Sequence, residues 1–393
     1  MFAPQAQAAS PNDRLGVAIV GCGNRGNSLL RTLVGERETW NIEFPAICDV
    51  WSRNLGDTAD RLEAETGRRP QVFARHEDLL ALSEVDAVVI ATPDLHHSPI
   101  MVDAARAGKH IYVEKPMANR MEDANAALDA VVENEVVCQV GTQRRSHPRY
   151  RAAAELLHTG VLGQLVVCEA GWNRNVPSWI RDYGDVYEGD VDWEQFLAYL
   201  PGEPFDARKF RCWHLYRDCA LGLVNLLGSH VIDVIQWFSG DPIPKSAVGI
   251  ETHAVWKDRE NADTQEITYE FPSGYLLRHF SRLGNSDQPL ETYMSGTNGV
   301  FDTTSWELRG AGAIDSPDRI EDNVVVGPEP DGPGMDWLHI ENWIDCIRAN
   351  RLETHADIHA GYAQSVAGVM GYLACHSGKK MLWDEATRSI KEA

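Results

Sequence analysis

Three groups of residues in this 393-residue chain could do chemistry by type and spacing. The first is Gly21-Cys-Gly23-Asn-Arg-Gly26, a G-x-G-x-x-G run. Such a run brings backbone N–H groups close to a pyrophosphate when a strand precedes it and a helix follows. The second is Lys115, set between Glu114 and Pro116. Its ammonium is either a solvated surface charge or a donor to a substrate hydroxyl that stabilises a developing alkoxide. The third is His230, three residues before Asp233 in an apolar stretch, so that the two share one helical face. A lone histidine on a buried helix is more often structural, yet its ordinary pKa suits proton exchange near neutrality.

The elements needed to position these groups are legible. Leu15-Gly-Val-Ala-Ile-Val20 reads as a strand ending at the glycines, and Leu29, Leu30 and Leu33 mark a helix after them. Gly21 permits the tight turn, Gly23 the close approach of backbone to phosphate, and Gly26 close helix–strand packing. The helix N-terminus, with Asn24 and Arg25, supplies unpaired N–H groups and a positive dipole end. The next strand, around residues 44–48, ends at Asp49, 23 residues after Gly26 and suitably spaced to hold ribose hydroxyls. A carboxylate there repels a 2′-phosphate, which favours NAD over NADP, although Arg53 stands nearby. Further strands are expected at 87–91, 110–113 and 136–140, with helices at about 99–107 and 122–133. Strands alternating with helices imply a doubly wound parallel sheet, whose ligands sit beyond the strands' carboxyl ends. Asp49, Thr92, His97, Lys115 and Gln143 fall at or just past such ends.

The glycine run, Thr92-Pro93-Asp94-x-x-His97, Glu114-Lys115-Pro116 and Arg144-Arg145-x-x-Pro148 occur in fixed order. Together they resemble the Gfo/Idh/MocA family, which includes glucose–fructose oxidoreductase and inositol dehydrogenase, over roughly residues 14–240. The resemblance implies an α/β Rossmann domain (14–140) followed by an α+β domain (141–393) with a large open, mainly antiparallel sheet. It implies NAD(P) chemistry on sugars and polyols, with Thr92, Pro93, His97, Glu114, Lys115 and Gln143 near the cofactor. It also implies association through the second sheet, as a dimer or tetramer, and often a cis bond before Pro116. In the family the lysine matching Lys115 lies beside the nicotinamide, and the histidine matching His230 is the general base. One position departs from the pattern. The family's aspartate four residues before that histidine is Leu226 here, beside Asn225. Either Asp218 or Asp233 takes its place, or the chemistry differs.

Between Trp172 and Trp213 lie four of the chain's twelve tryptophans, interleaved with Arg174, Arg181 and Arg211. Aromatic faces with charged neighbours suit a carbohydrate, and they equally suit packing of a loop onto a sheet. Arg144, Trp172, Arg174, Trp213 and Asn225 are the expected substrate contacts. From about 245 to 301, β patterns such as Glu266–Phe271 and Tyr275–Phe280 flank a Pro-Ser-Gly turn and predict an antiparallel sheet. A helix carrying Trp337, Ile340 and Ile344 and a closing helix near 359–375 are expected after it, the last packing back on the core.

Composition narrows the classes. The formal charge of −22 disfavours nucleic acid as a partner and requires that any site for an anionic cofactor be made positive locally. Eight cysteines without C-x-x-C spacing suggest buried hydrophobes and no metal. The apolar stretch 219–238 carries Asn225, His230, Asp233 and Gln236, which argues against a membrane span. Residues 1–13 read as a flexible leader, in which Ala6-Gln7-Ala8 has the form of a trimmed export site. The expected compartment is the periplasm if that reading holds and the cytoplasm otherwise. The reading that unites these features is an NAD-dependent oxidoreductase, moving hydride between nicotinamide and a secondary hydroxyl of a sugar, sugar derivative or glycoside. Its alternatives are a glycosidase that oxidises transiently, eliminates and returns the hydride, and a non-catalytic NAD- or sugar-binding sensor.

Overall fold

A computed structural model describes residues 14–174, 179–287, 291–315, 317–327 and 331–393. The leader 1–13, with its Ala-x-Ala, lies outside the described residues. Two sheets organise the chain. The first runs Gln71–Phe73, Ala46–Cys48, Leu15–Val20, Ala87–Ile90, His110–Val113, Cys138–Val140, with the two-residue strand Ile42–Glu43 beside Leu15–Val20. Every pairing in it is parallel. Leu15–Val20 is buried along its whole length, as a strand with both faces covered must be, and so shows no alternation.

The second sheet has ten strands in the order Val324–Val325, Glu307–Arg309, Gly299–Asp302, Thr292–Gly296, Leu165–Asn173, Leu276–Arg282, Thr264–Glu270, Ser246–Thr252, Met381–Asp384, Ser389–Glu392. Its pairings are antiparallel except that of Leu165–Asn173 with Leu276–Arg282. Thr264–Glu270 alternates, with Gln265, Ile267 and Tyr269 buried, because one face meets helices and the other does not. The helices Gly228–Ser239 and Ile358–Ser377 cover the inner face. The fold is thus the Rossmann domain plus mainly antiparallel α+β domain expected from sequence.

Sequence order and spatial grouping diverge at one helix. Met335–Arg348 packs Ile340, Trp343, Ile344 and Ile347 into the core formed by Leu15, Val17, Leu29 and Leu33 of the nucleotide-binding domain. Asp336 at its start holds Arg25 through two hydrogen bonds of 2.7 and 2.9 Å. The first domain is therefore completed by a segment from the far end of the chain.

Candidate active site

The glycine turn behaves as its sequence requires. Gly21 has φ +95°, and a Cβ there would lie 2.7 Å from the backbone of Ala91 and Thr92. A Cβ on Gly26 would lie 1.8 Å from the Gly21 carbonyl oxygen, so only glycine lets the helix Asn24–Gly35 sit so close to the turn. Gly23 differs: a Cβ there meets nothing within 4 Å, because the residue faces a cleft of about 490 Å³. Gly21, Gly23, Asn24 and Arg25 line that cleft, as do Asp49, Thr92 and Pro93. The hydroxyl of Thr92 is buried without a partner among the described residues.

Asp49 is buried, and its carboxylate accepts from Cys22 N (2.7 Å), Trp51 N (2.8 Å) and Asn54 Nδ2 (3.1 Å). Burial raises its pKa against those three donors. A carboxylate offers about four lone-pair directions, so one remains for a ribose hydroxyl. Arg53 is held by the Asp185 carboxylate and by the Asp185 carbonyl oxygen at 3.0 Å, and it does not line the cleft. The sequence ambiguity between NAD and NADP at Arg53 is thereby reduced.

Four expected cofactor contacts have other duties. His97 is buried, with Nδ1 2.7 Å from the Pro116 carbonyl and Nε2 3.0 Å from that of Thr92, so it braces the turn that carries Lys115. Glu114 accepts from Arg25 Nε (2.7 Å) and Gln143 Nε2 (3.3 Å), and its carboxylate fills the space where Gly141 lacks a Cβ. Arg25, Glu114, Gln143 and Asp336 thus form one charge-paired network that ties the glycine helix to the helix from the far end of the chain. His97, Glu114 and Gln143 stand behind the cleft wall, and Arg25 lines the cleft with its charge compensated.

The Lys115–Pro116 peptide is cis. Lys115 Nζ donates 2.7 Å to the carbonyl oxygen of Leu226. The position that departs from the family pattern therefore contacts the lysine through its main chain. Neither proposed substitute carboxylate is available. Asp218 is held by Lys209 Nζ at 2.5 Å, and buried Asp233 is gripped by Arg145 at 2.8–3.0 Å. Asp94, which the sequence reading passed over within Thr92-Pro93-Asp94, is the carboxylate bearing on Lys115. It is 4% exposed, and its Oδ2 has no partner among the described residues. Burial pushes its pKa up to about 7, opposed by the charges of Lys115 and Arg181. Burial in turn pulls Lys115 below the usual lysine range. The signal for Asp94 in the sequence was its place just past the end of a central strand.

His230 lies over Trp172, with ring centroids 5.4 Å apart, and no described residue hydrogen-bonds its imidazole. Burial and the cations of Lys115, Arg144 and Arg25 hold its pKa well below the usual value, so the ring is a neutral proton acceptor at pH 7. The Arg144 guanidinium lies 5.2 Å over Trp172 and pairs with Glu291 at 3.2 Å. Arg144 and Trp172 thus stand with His230 as expected. The other three substrate candidates do not. Trp213 lines the nucleotide cleft. Arg174 is exposed just past its strand. Asn225 is fully buried, its amide toward Ala118 and Asn119 and its oxygen where a Cβ on Gly368 would sit.

Comparison with known proteins agrees with this geometry. Residues 15–142 match the oxidoreductase family with an NAD-binding Rossmann fold, Gfo/Idh/MocA. Over this domain the chain is similar to that family. An inositol 2-dehydrogenase of Rubrobacter xylanophilus is 32% identical over 165 residues, 42% of this chain and 45% of that protein. The chain thus aligns with less than half of that relative's length. Two solved structures share the whole fold. The WlbA dehydrogenase of Bordetella pertussis, in complex with NADH and UDP-GlcNAcA, superposes with TM-score 0.70 at 21% identity, covering 95% of this chain and 98% of that one. Levoglucosan dehydrogenase, in complex with NADH and levoglucosan, gives 0.69 at 18%, covering 94% and 98%.

Proposed function

We propose that the protein is an NAD-dependent oxidoreductase acting on a secondary hydroxyl of a sugar, sugar derivative or glycoside. The observation that carries this reading is the convergence of Lys115, from a strand end of the nucleotide-binding domain, with a neutral His230 from the second domain, whose imidazole no described residue hydrogen-bonds. The cleft fits a dinucleotide: the open space at Gly23, the unpartnered Thr92 hydroxyl and the remaining lone pair of Asp49 are each what such a ligand would engage. Gly21, Gly23 and the N–H groups of the following helix would hold its phosphates. When bound, the nicotinamide ring supplies the hydride acceptor.

The chain's own side chains handle the oxygen and its proton. Lys115 Nζ, held at the Leu226 carbonyl, presents its remaining N–H donors to the substrate oxygen and stabilises negative charge as it develops. His230 takes the hydroxyl proton as base, which its depressed pKa permits across the neutral range. Trp172 offers a face for the C–H surface of a pyranose beside His230, and relatives with sugar-type ligands in their names support that class.

The test is absorbance at 340 nm after adding NAD with a panel of sugars, polyols and glycosides, each mixture being analysed for oxidised sugar and released aglycone. NADH accumulating in step with an oxidised sugar is the expected result. Aglycone release without net NADH would replace this reading with the recycling glycosidase.

A further inference from the structure

The cleft has a second wall that the nucleotide-binding domain does not make. Residues 181–213, between the strand Leu165–Asn173 and the helix Gly228–Ser239, fold over its open side. They are fastened there by a bridge between Trp51 and Val191, by Asp192 N donating 2.8 Å to the Val50 carbonyl, and by packing of Phe196 and Phe210 around Trp51. The Arg53–Asp185 pair closes the outside of the same contact.

Three arginines line the cleft, and they are not equivalent. Arg25 is neutralised by Glu114 and Asp336. Arg181 and Arg211, both from the covering segment, have no carboxylate within ion-pair distance among the described residues. Their guanidinium hydrogen bonds there are to neutral groups: Arg181 Nη1 donates 3.4 Å to the Arg211 carbonyl, and Arg211 Nε donates 3.1 Å to the Asp182 carbonyl. The two guanidiniums are close enough to repel, and Arg181 is largely buried, its pKa pulled down by burial and then by Arg211. The Arg211 guanidinium lies 5.0 Å over Trp51, beside Asp49. In a protein of net charge −22, two neighbouring cations that line one cleft without an ion-pair partner among the described residues are an arrangement completed by an anion.

We infer that Arg181 and Arg211 are a phosphate clamp contributed by the second domain, closing on the dinucleotide's pyrophosphate from the side opposite the glycine turn. This rests on the reading of the cleft as a dinucleotide site. It assigns the positive potential that an acidic protein must supply to residues some 160–190 positions away from the glycines. Both domains then bind the nucleotide.

The test is calorimetric binding of ADP-ribose and of adenosine to the full-length protein and to Arg181→Ala and Arg211→Ala, with the surface variant Arg69→Ala as a charge control. Loss of a charge-assisted phosphate contact should weaken ADP-ribose by roughly 10- to 100-fold per arginine, leave adenosine unchanged and reduce the salt dependence of ADP-ribose binding. Unchanged adenosine affinity also reports that the covering segment is still folded. Arg211→Lys, which keeps the charge, should recover part of the loss. Wild-type-like ADP-ribose affinity in both alanine variants would overturn the clamp. So would an equal loss of adenosine and ADP-ribose, since that identifies a packing role. Failure of the wild-type protein to bind ADP-ribose would overturn the dinucleotide reading itself.

Discussion

The two walls of the nucleotide cleft are built on different principles. The inner wall, from Gly21 to Asp49 and Thr92, is backbone: a glycine turn, a helix start and strand ends whose positions follow from a parallel sheet. Its demands are steric, and each is visible as a residue type. The outer wall, Arg181 to Trp213, is side chain: arginines, aromatics and one inter-domain bridge, held by packing on Trp51. Its residues are ordinary until the tertiary fold sets them opposite the glycines. Backbone-built sites announce themselves in a sequence, whereas side-chain-built walls do so only once their partner surface is known.

The largest expected effect tests whether chemistry needs both domains. Lys115→Ala and His230→Ala should each lower turnover about 10²- to 10⁴-fold with the circular dichroism spectrum intact. A near-normal rate in either would remove that residue from the mechanism. Next is the anchoring of the second-domain helix. Asp233→Ala removes the buried carboxylate that pairs with the partly buried Arg145 and should cost about 3–5 kcal/mol in urea unfolding; a loss under 1 kcal/mol would show that Arg145 finds another partner.

The glycines sharpen the comparison within the inner wall. Gly26→Ala, whose Cβ would strike the Gly21 carbonyl, should destabilise by about 1–3 kcal/mol and lower Tm. Gly23→Ala should leave Tm unchanged and weaken NAD binding, because its Cβ enters only the open cleft. Equal behaviour of the two variants in thermal melts would break the assignment.

The smallest effect is titration. Asp94, with its pKa raised to about 7, binds a proton on folding between its ordinary carboxylate pKa and 7. Its contribution to stability is therefore present at low pH and is lost as pH rises through 7. Asp94→Asn should flatten that part of the stability profile and remove any inflection near pH 7 from kcat/KM. Persistence of both would assign them to another group. The acid limb due to His230 should lie below pH 6.5, since its pKa is depressed.

The sequence reading went furthest where geometry is local. The glycine run, the strand ends and the placing of Lys115 at one of them all agree with the structure, as do Arg144 and Trp172 beside His230. Expectation and structure differ where a polar residue's partner lies far along the chain. Asn225 looked like a substrate contact, but Gly368 on another helix receives it. His97 matched a cofactor motif, but its ring nitrogens face two carbonyls that only the turn at Pro116 brings together. Asp94 stood in plain view, and nothing in its neighbours along the chain showed that it would be buried facing Lys115.

By itself the sequence determined the doubly wound parallel sheet of the first domain, the nucleotide turn and the place of Lys115 at a strand end. Strand alternation, glycine sterics and motif order depend on residues within a few turns of one another. Only the tertiary structure decided that the Leu226 carbonyl receives Lys115, that Asp218 and Asp233 are already paired, and that Arg181 and Arg211 line the cleft. Each of these depends on which charges remain unpaired after two domains meet, and pairing across such distances is set by packing rather than by spacing along the chain.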